Sequence, residues 1–580
     1  MESSAGGGAV ERWNGGTVER WNGGTGWRYL GPMPGDVHSS THAASRPRDE
    51  RFAALGSRVF DLLVIGGGVT GCGIARDAAV RGLSVALVER EDFASGTSSR
   101  SSRLVHGGVR YLEHGHLHLV FESSAERRRL LQLAPHLVRP LEFTWPVYKG
   151  ARIPAWKLNA GLTLYDALAL FRNVGRHHRL TRDGVLAHEP MLRPDGLLGG
   201  ATYFDAATND ARLTLANAVD AAEHGAIVLN HAPVRSLCIE GGRVAGANIT
   251  DAITGAECAV RARVVVNATG PWSDDIRRMD AETGTAVRGS KGVHIAVARE
   301  RIGNRGALTL LSNQDGRVLF VLPADSDAII GTTDTYTASK PDTVRPDRED
   351  VRYLLDAANA FFPSARLIET DVISAWAGIR PLLPKPGASP GSVSREHEIR
   401  TSARGLVSIT GGKLTTYRLM AAQVVDLVAK QLHRRDTRER SRGLPLPGGD
   451  ISSFDATVAL AERTTGDPRL ATHLVRAYGS RWTAVWNEIA SVGGDGRIVD
   501  DLPYTAGELR YSVRNEMACT LGDVMIRRTH LAFETRDHGL ASAAAAAAAI
   551  GPVLGWNAAA RDRAVDAFAA ELDRIFRIDA

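Results

Sequence analysis

This 580-residue chain has few features that would organise it through disulfides, metal clusters or membrane spans. Its four cysteines are scattered without a CxxC pair, so neither a disulfide framework nor a cysteine metal site is expected. This cysteine usage is typical of a protein in a reducing compartment. The longest candidate for a span, residues 541–556, is mostly alanine and is interrupted by Gly551-Pro552, which favours a packed helix. The N-terminal residues contain no apolar core of a signal peptide, so no secretory signal is expected there.

The chain also has no strong excess of charge of one sign. It contains 70 lysines and arginines against 65 acidic residues, a formal charge of +5, and aromatic residues make up only 6%. No basic run alternates with aromatics, so a nucleic-acid partner is not predicted. The mild excess of positive charge fits attraction to anionic substrates or lipid head groups.

Three regions can be separated by composition. Residues 1–57 contain VERWNGGT twice in tandem, at 10–17 and 18–25, and are predicted to be a disordered extension, or alternatively a tryptophan-bearing recognition tail. Residues 58–442 carry the alternating strand and helix signals. The proline- and glycine-containing segment 443–449 reads as a linker, and residues 451–580 as a helical C-terminal domain.

The strongest local pattern runs from Phe60 to Arg90. An apolar strand enters a glycine cluster that opens a helix, and a second apolar strand ends on an acid. Gly66 suits the tight turn, Gly68 the approach of backbone to a pyrophosphate, and Gly71 close packing of helix on sheet. Glu89, 23 residues beyond Gly66, is placed for a ribose hydroxyl. This order predicts a dinucleotide-binding unit.

Two further apolar strands are followed directly by glycine. One is in Val264–Trp272, with Gly270, and the other is in Val407–Arg418, with Gly411 and Gly412. Three such points suit a long cofactor threaded through the protein, so FAD is favoured over NAD. We therefore expect an α/β fold (α+β overall). A Rossmann-like FAD-binding domain should be interleaved with a β-rich substrate domain and followed by an α-helical C-terminal domain.

Several longer blocks are more discriminating than the glycine fingerprint. The chain resembles FAD-dependent, respiratory-type glycerol-3-phosphate dehydrogenases from about Phe60 to Arg418, and more loosely beyond. The blocks that carry the resemblance are TSSRSSRLVHGGVRYLEHG (97–115), NDARL (209–213), VNATGPW (266–272), GSKGVHI (289–295), GTTDT (331–335), GIRPL (378–382) and TGGKLTTYR (410–418).

The resemblance implies oxidation of sn-glycerol 3-phosphate to dihydroxyacetone phosphate, with the hydride passing to flavin N5 and the electrons to a quinone. It assigns Arg110, Arg380, Arg395 and Lys413 to the substrate phosphate and to charge stabilisation. Arginine forks and lysine ammonium groups bind phosphate oxygens well. A solvated surface charge is the alternative for any single arginine, and Arg395 is the weakest member of this set.

Three residues are assigned to the chemistry itself. His294 in GSKGVHI is the predicted base, since a neutral imidazole accepts an alcohol proton and a neighbouring arginine would keep it neutral. Arg380 would stabilise charge, and Tyr111 would hydrogen-bond the substrate or its developing alkoxide. His106 and Tyr111 are competitors for the base, although the place of His106 in a glycine loop favours orienting the cofactor.

The remaining assignments concern the cofactor and the partners. FAD is expected to be noncovalent, and no metal is expected. The predicted cofactor-binding residues are Gly66, Gly68, Gly71, Glu89, Ser98, Ser99, Ser102, His106, Gly270, Gly411 and Gly412. The resemblance also implies a cytoplasmic enzyme, peripheral on the inner face of the cell membrane, and it allows a homodimer. Residues 430–442 are a candidate basic membrane contact or a solvated linker.

Three alternative functions remain open. An oxygen-using glycerol-3-phosphate oxidase would share the substrate site. An amine or amino-acid oxidase of the same fold would need a carboxylate clamp. A flavin-binding interaction protein would use the C-terminal helices for docking and would never reduce its flavin.

Overall fold

The computed structural model describes residues 10–13, 16–20, 27–30, 46–170, 173–384, 396–435, 438–494 and 496–580. The strands, in chain order, are β1 (Val10–Trp13), β2 (Gly16–Arg20), β3 (Trp27–Leu30), β4 (Val59–Ile65), β5 (Val85–Val88), β6 (Leu104–Val105), β7 (Val138–Tyr148), β8 (His178–Thr181), β9 (Leu197–Thr208), β10 (Ile227–Leu229), β11 (Val234–Glu240), β12 (Arg243–Thr250), β13 (Glu257–Asn267), β14 (Arg288–Ala298), β15 (Ala307–Leu311), β16 (Val318–Ala324), β17 (Asp327–Gly331), β18 (Thr335–Tyr336), β19 (Val372–Leu382), β20 (His397–Thr401) and β21 (Val407–Gly411).

The helices are α1 (Arg48–Gly56), α2 (Val69–Val80), α3 (Leu117–Leu133), α4 (Ala155–Leu168), α5 (Arg182–His188), α6 (Asp210–Glu223), α7 (Ser273–Met279), α8 (Arg299–Ile302), α9 (Arg348–Phe361), α10 (Tyr417–Gln431), α11 (Phe454–Thr465), α12 (Pro468–Tyr478), α13 (Trp482–Ser491), α14 (Ala506–Asn515), α15 (Leu531–Glu534), α16 (Ala543–Leu554) and α17 (Ala558–Phe576). None of these helices is both long and apolar enough to cross a membrane.

The chain divides into two compact units, Met1–His42 and Ala43–Ala580. In the first unit, β1, β2 and β3 pair as an antiparallel sheet built largely from the tandem VERWNGGT segments. The second unit begins before the predicted end of the disordered extension. Residues 48–56 form α1, and Arg48 donates to Asp251 (Nη2 to Oδ1, 2.8 Å), so the prediction of disorder is wrong for this helix.

The second unit contains two large sheets. The first has eight strands in the order β10-β5-β4-β13-β12-β11, with β21 beside β13 and β20 beside β21. Its pairs β10–β5, β5–β4, β4–β13 and β13–β21 are parallel. Helices α2, α6 and α10 pack on it through a buried aliphatic core that includes Leu62, Val64 and Val424.

The second sheet has ten strands in the order β18-β14-β17-β16-β15-β7-β9-β6, with β19 beside β14 and β8 beside β9. The chain passes between the sheets repeatedly, since β6–β9 and β14–β19 belong to the second sheet and the strands around them to the first. This confirms the predicted interleaving of a Rossmann-like domain with a β-rich domain.

The C-terminal region is helical, as predicted, and residues 541–556 contain the packed helix α16 rather than a span. Helices α11–α14 have a core of their own, centred on Leu470, Leu474 and Val485. Other C-terminal residues, among them Phe533 and Phe568, share a core with the ten-stranded sheet. The boundary of a separate domain at residue 451 therefore stays a prediction.

Candidate active site

The first wall of the site is the turn between β4 and α2. Gly66 has φ +110°, and a Cβ there would lie 2.8 Å from the carbonyl oxygen of Ala268. A Cβ on Gly71 would collide with the carbonyl oxygen of Gly66, so this glycine lets the helix approach the strand. The N-terminal amides of α2 consequently face a cavity, where they suit an anion.

Glu89, at the end of β5, closes the opposite edge of this turn. Its Oε2 accepts from the amide of Gly67 (2.5 Å) and its Oε1 from the amide of Glu91 (2.9 Å). Burial raises the pKa of the Glu89 carboxyl, although the two amide hydrogen bonds oppose the rise. The carboxylate is thus fixed in one orientation and suits a ribose hydroxyl donor.

The β4–α2 turn and Glu89 line a cavity of about 1410 Å³, a volume that includes its open mouth. It runs from the β4–α2 turn past the 95–98 loop to the end of β21. The predicted cofactor residues that line it are Gly66, Gly68, Glu89, Ser98, Gly270, Gly411 and Gly412. Helix N-terminal amides, an oriented carboxylate and glycine-lined walls fit the pyrophosphate, ribose and elongated shape of FAD.

A second cavity, of about 910 Å³, joins the first, and both are lined by Ser98, Gly412 and Lys413. Predicted substrate-site and cofactor residues converge on it from separated segments. Those that line it are Ser98, Ser102, His106, His294, Arg380, Gly412 and Lys413. The residues predicted for the substrate chemistry therefore lie next to one end of the first cavity. We call the first the cofactor cavity and the second the substrate cavity, after the predicted residues that line them.

Sheet register sets the positions of the two central side chains. Strands β14 and β19 are antiparallel, with Ser290 opposite Arg380 and His294 opposite Trp376. Alternate residues on a strand share a face, which brings the imidazole and the guanidinium to one side. A Cβ at Gly292 would collide with the Arg380 guanidinium, and a Cβ at Gly331 would collide with the His294 ring. Both glycines are therefore needed for space.

His294 is buried and held on two sides. Its Nε2 lies 2.8 Å from Ser102 Oγ, and its ring stacks on Trp376 with centroids 5.5 Å apart and planes 14° apart. Its Nδ1 has no hydrogen-bond partner within the described residues. Burial lowers the pKa of His294 to about 3, with contributions from the charges of Arg380 and Arg103. The imidazole is neutral at physiological pH, as a proton acceptor must be.

Arg380 is fixed by the GTTDT segment after β17. Its Nη2 donates to Thr332 Oγ1 (2.9 Å), and its Nη1 donates to Asp334 Oδ1 and to the Thr333 carbonyl (both 3.2 Å). Ser290 Oγ also donates to Asp334 (2.5 Å). These bonds hold the guanidinium beside the cavity in one orientation.

Lys413 lies at the junction of the two cavities. Its Nζ is 4.2 Å from the centre of the Tyr111 ring, a cation–π distance. Tyr111 in turn lies near His106, with ring centroids 6.3 Å apart. Thr415 donates to the carbonyl of His106 (3.0 Å), which connects this loop to the segment after β21. Tyr111 is thus near the site without lining either cavity.

Four other predicted residues do not line the cavities as expected or cannot be placed. Gly71 lines neither cavity, because it faces the carbonyl oxygen of Gly66. Ser99 is buried and lines neither cavity, which the local 3₁₀ turn Thr97–Ser99 explains, since successive residues of the turn point in different directions. Arg110 lies in the 3₁₀ segment Val109–His114, but its side chain is outside the described part. Arg395 lies outside the described residues altogether. The roles of all the predicted residues stay predictions.

Sequence reasoning missed five residues of the site. Thr97 and Arg100 line the substrate cavity, and Trp272 lines the cofactor cavity. Asp334 orients Arg380, and Trp376 supports His294. Trp376 acts through its neighbour across the sheet, so no spacing along the sequence could identify it, whereas Asp334 stands inside the block GTTDT. Thr97 and Trp272 stand inside the blocks TSSR and GPW, where the signal was present.

The fold and the joined cavities define a flavin-dependent oxidoreductase. A family model described as FAD dependent oxidoreductase matches residues 61–418, and one described as the C-terminal domain of alpha-glycerophosphate oxidase matches residues 440–561. The chain belongs to the family of FAD-dependent glycerol-3-phosphate dehydrogenases, as its relatives and the expected resemblance agree. FAD is its cofactor.

Individual relatives support this placement. The aerobic glycerol-3-phosphate dehydrogenase of Staphylococcus haemolyticus is 38% identical over 491 residues, 82% of this chain and 87% of that protein. Glycerol-3-phosphate dehydrogenase 2 of Mycobacterium tuberculosis is 39% identical over 532 residues, 90% and 89% of the two chains. The solved glycerol-3-phosphate dehydrogenase of Bacillus halodurans, complexed with FAD, matches with a TM-score of 0.77 and 33% identity, covering 92% of this chain and 98% of that one.

Proposed function

We propose that the enzyme oxidises sn-glycerol 3-phosphate to dihydroxyacetone phosphate and passes the electrons to a quinone. The observation that carries the proposal is the content of the second cavity. A neutral imidazole, His294, and two cations, Arg380 and Lys413, meet there beside the cofactor cavity. The substrate has the matching groups, a secondary alcohol and a phosphate dianion.

The cations hold the phosphate. The oriented fork of Arg380 can bind two phosphate oxygens, and Lys413 adds a point charge at the junction of the cavities. Arg110 and Arg395 are proposed to complete the phosphate site. An amino-acid oxidase would need to hold only a singly charged carboxylate, so this concentration of cations favours the dianionic substrate.

His294 takes the proton of the alcohol through a ring nitrogen. Ser102 fixes the ring by its contact with Nε2, and Trp376 fixes its plane. A bound phosphate dianion offsets the charge of Arg380, which is one cause of the low pKa of His294. Substrate binding therefore strengthens the base. FAD, when bound, supplies the acceptor for the hydride from the alcohol carbon.

The quinone acceptor and a peripheral membrane position belong to the same proposal. Helices α3 and α4 contact each other beside the 3₁₀ segment that contains Tyr111. They carry exposed apolar side chains, with Trp156 72% and Phe121 47% exposed, and the exposed Lys157 follows Trp156. Apolar side chains with flanking cations suit an anionic lipid surface. A homodimer on that surface is compatible with this arrangement.

Anaerobic mixing of the FAD-loaded enzyme with sn-glycerol 3-phosphate tests the substrate. With sn-glycerol 3-phosphate, the oxidised-flavin band at about 450 nm should bleach at once. Glycerol, which has no phosphate, should leave the band unchanged. Absence of bleaching, or bleaching by glycine instead, would contradict the proposal. Re-oxidation by a quinone in anionic vesicles, compared with re-oxidation by dissolved oxygen, then distinguishes a dehydrogenase from an oxidase.

A further inference from the structure

The segment that follows Glu89 connects the cofactor cavity to the C-terminal helices. The amide of Glu91 donates to Glu89 Oε1 and so orients a carboxylate that lines the cofactor cavity. The carbonyl of Glu91 accepts from the amide of His231 (2.5 Å), which ties the same residue to the segment after β10. The position of Glu91 therefore decides how the Glu89 carboxylate is presented.

The side chain of Glu91 is held from the far end of the chain. Arg574, in the last turn of α17, donates to it through both terminal nitrogens, at 2.6 Å to Oε1 and 3.1 Å to Oε2. Burial would raise the pKa of the Glu91 carboxyl, but the hydrogen bond and charge of Arg574 outweigh it and hold the pKa below its usual value. Both side chains remain about one third exposed, 29% and 32%.

Asp92, the next residue, is anchored to a different C-terminal element. Its carboxylate accepts from Arg527 Nε (2.7 Å) and Arg528 Nη2 (3.0 Å), both in the π-helical segment Asp523–Arg528, and from Asn230 Nδ2 (2.9 Å). The side chains of Asp92 and Arg528 are fully buried. Two successive anions of one segment are thus bound by arginines from separate parts of the C-terminal region.

This cluster is an ion-pair network rather than a metal site. Asp92, His231 and Asp523 could offer atoms within 4.8 Å of one another. Arg527 and Arg528 already donate to Asp92, however, and Arg527 also donates to Asp523 (2.9 Å). The guanidinium groups supply the positive charge that a cation would bring.

We propose that the C-terminal helical region retains FAD by positioning the ribose-binding carboxylate, with Arg574 as the positioning residue. Arg574 fixes the side chain of Glu91, the amide of Glu91 fixes Glu89, and Glu89 binds the ribose. Arg528 and Asp92 anchor the same segment to the core. The proposal concerns the cofactor alone and does not depend on the substrate.

The test is the rate of FAD release from the diluted holoenzyme, followed by the gain of free flavin fluorescence. We expect Arg574→Gln and Glu91→Gln each to accelerate release about fivefold, the effect of a partly exposed charged pair. The double variant should release FAD no faster than either single variant, because both remove one interaction. Arg574→Lys, which keeps the charge without the fork, should lie between wild type and Arg574→Gln.

The matched control is Arg577→Gln. Arg577 lies just beyond α17, is 53% exposed and pairs with Asp573 (3.1 Å), so it has the same chemistry without a link to Glu91. It should release FAD like wild type. Raising the salt from about 0.1 M to about 1 M should accelerate release from wild type more than from Arg574→Gln, since salt screens the pair. The proposal would be overturned if Arg574→Gln released FAD at the wild-type rate, or if Arg577→Gln accelerated FAD release as much as Arg574→Gln does. Additive effects on the release rate in the double variant would also overturn it.

Discussion

The cofactor cavity is lined by glycines that offer backbone alone, among them Gly66, Gly68, Gly270, Gly411 and Gly412. The substrate cavity instead takes side chains from β14, β19 and the loops at residues 97–106 and 412–414. Around the first cavity, glycines leave room for close packing of backbone, as Gly71 does for the carbonyl oxygen of Gly66. In the second, they leave room for other side chains, as Gly292 does for Arg380. A backbone-built site is thus specified locally, whereas a site built from side chains depends on strand register.

The largest effect is expected at the backbone-built cavity, from Gly71→Val. A side chain there collides with the carbonyl oxygen of Gly66, so the turn cannot hold its shape and FAD binding should be lost. The measurement is the flavin content of the purified protein. Gly161→Ala, in α4 with open space around its Cβ, is the control and should keep full flavin. A fully loaded Gly71→Val protein would contradict the role given to this turn.

In the side-chain-built cavity, Arg380→Lys should raise the KM for sn-glycerol 3-phosphate by about 30-fold, an effect of about 2 kcal/mol from loss of the fork. The ammonium group still faces Asp334, so the buried carboxylate keeps a cation and the fold should survive. Steady-state kinetics with bound FAD measure the change. Arg352→Lys, at an exposed position on α9, should leave the KM unchanged. An unchanged KM in Arg380→Lys would separate Arg380 from phosphate binding.

Loss of the Trp376 ring that holds His294 in place should slow flavin reduction less than loss of the imidazole itself. Trp376→Leu removes the ring that stacks on the imidazole, and we expect flavin reduction by substrate to slow about tenfold while the KM changes little. Phe568→Leu, in the same buried core but without a ring contact to the stack, is the control for lost packing. If both variants reduce their flavin equally fast at similar melting temperatures, Trp376 has only a packing role.

The smallest effect concerns acid stability. Burial, followed by the charges of nearby arginines, lowers the pKa of both His294 and His136 to about 3 in the folded enzyme. Their unfolded pKa is about 6.5, so the unfolded chain binds more protons between the two values, and stability falls as the pH drops through about 6.5. Each histidine contributes at most about 1.4 kcal/mol per pH unit.

Urea unfolding at about pH 7.5 and about pH 5.5 measures this loss. His136→Gln lies outside both cavities and should reduce the difference between the two midpoints. An equal difference in wild type and His136→Gln would show that His136 does not remain neutral in the fold.

Sequence patterns predicted the parts of the molecule that are local. The turn at Gly66, the carboxylate of Glu89 and the interleaved fold follow from strand, glycine and acid in order along the chain. Trp376 could not be found in that way, because it acts on a side chain that is a neighbour only through strand pairing. Asp334 stands in the block GTTDT, but its hydrogen bond to Arg380 joins residues 46 positions apart. The same reason hid Arg574, which lies 483 residues from its partner Glu91. Helix α1 was missed for the same reason, because the ion pair of its Arg48 with Asp251 is nonlocal.

The proposed mechanism depends on His294 as the acceptor of the alcohol proton, in the cavity that adjoins the cofactor cavity. The most direct measurement is anaerobic stopped-flow reduction of the bound flavin by sn-glycerol 3-phosphate in wild type and in His294→Asn, with FAD content checked in both. We expect the single-turnover rate to fall by about 10²- to 10⁴-fold, the range for loss of a general base, while FAD stays bound. An unchanged rate in the FAD-loaded variant would contradict it.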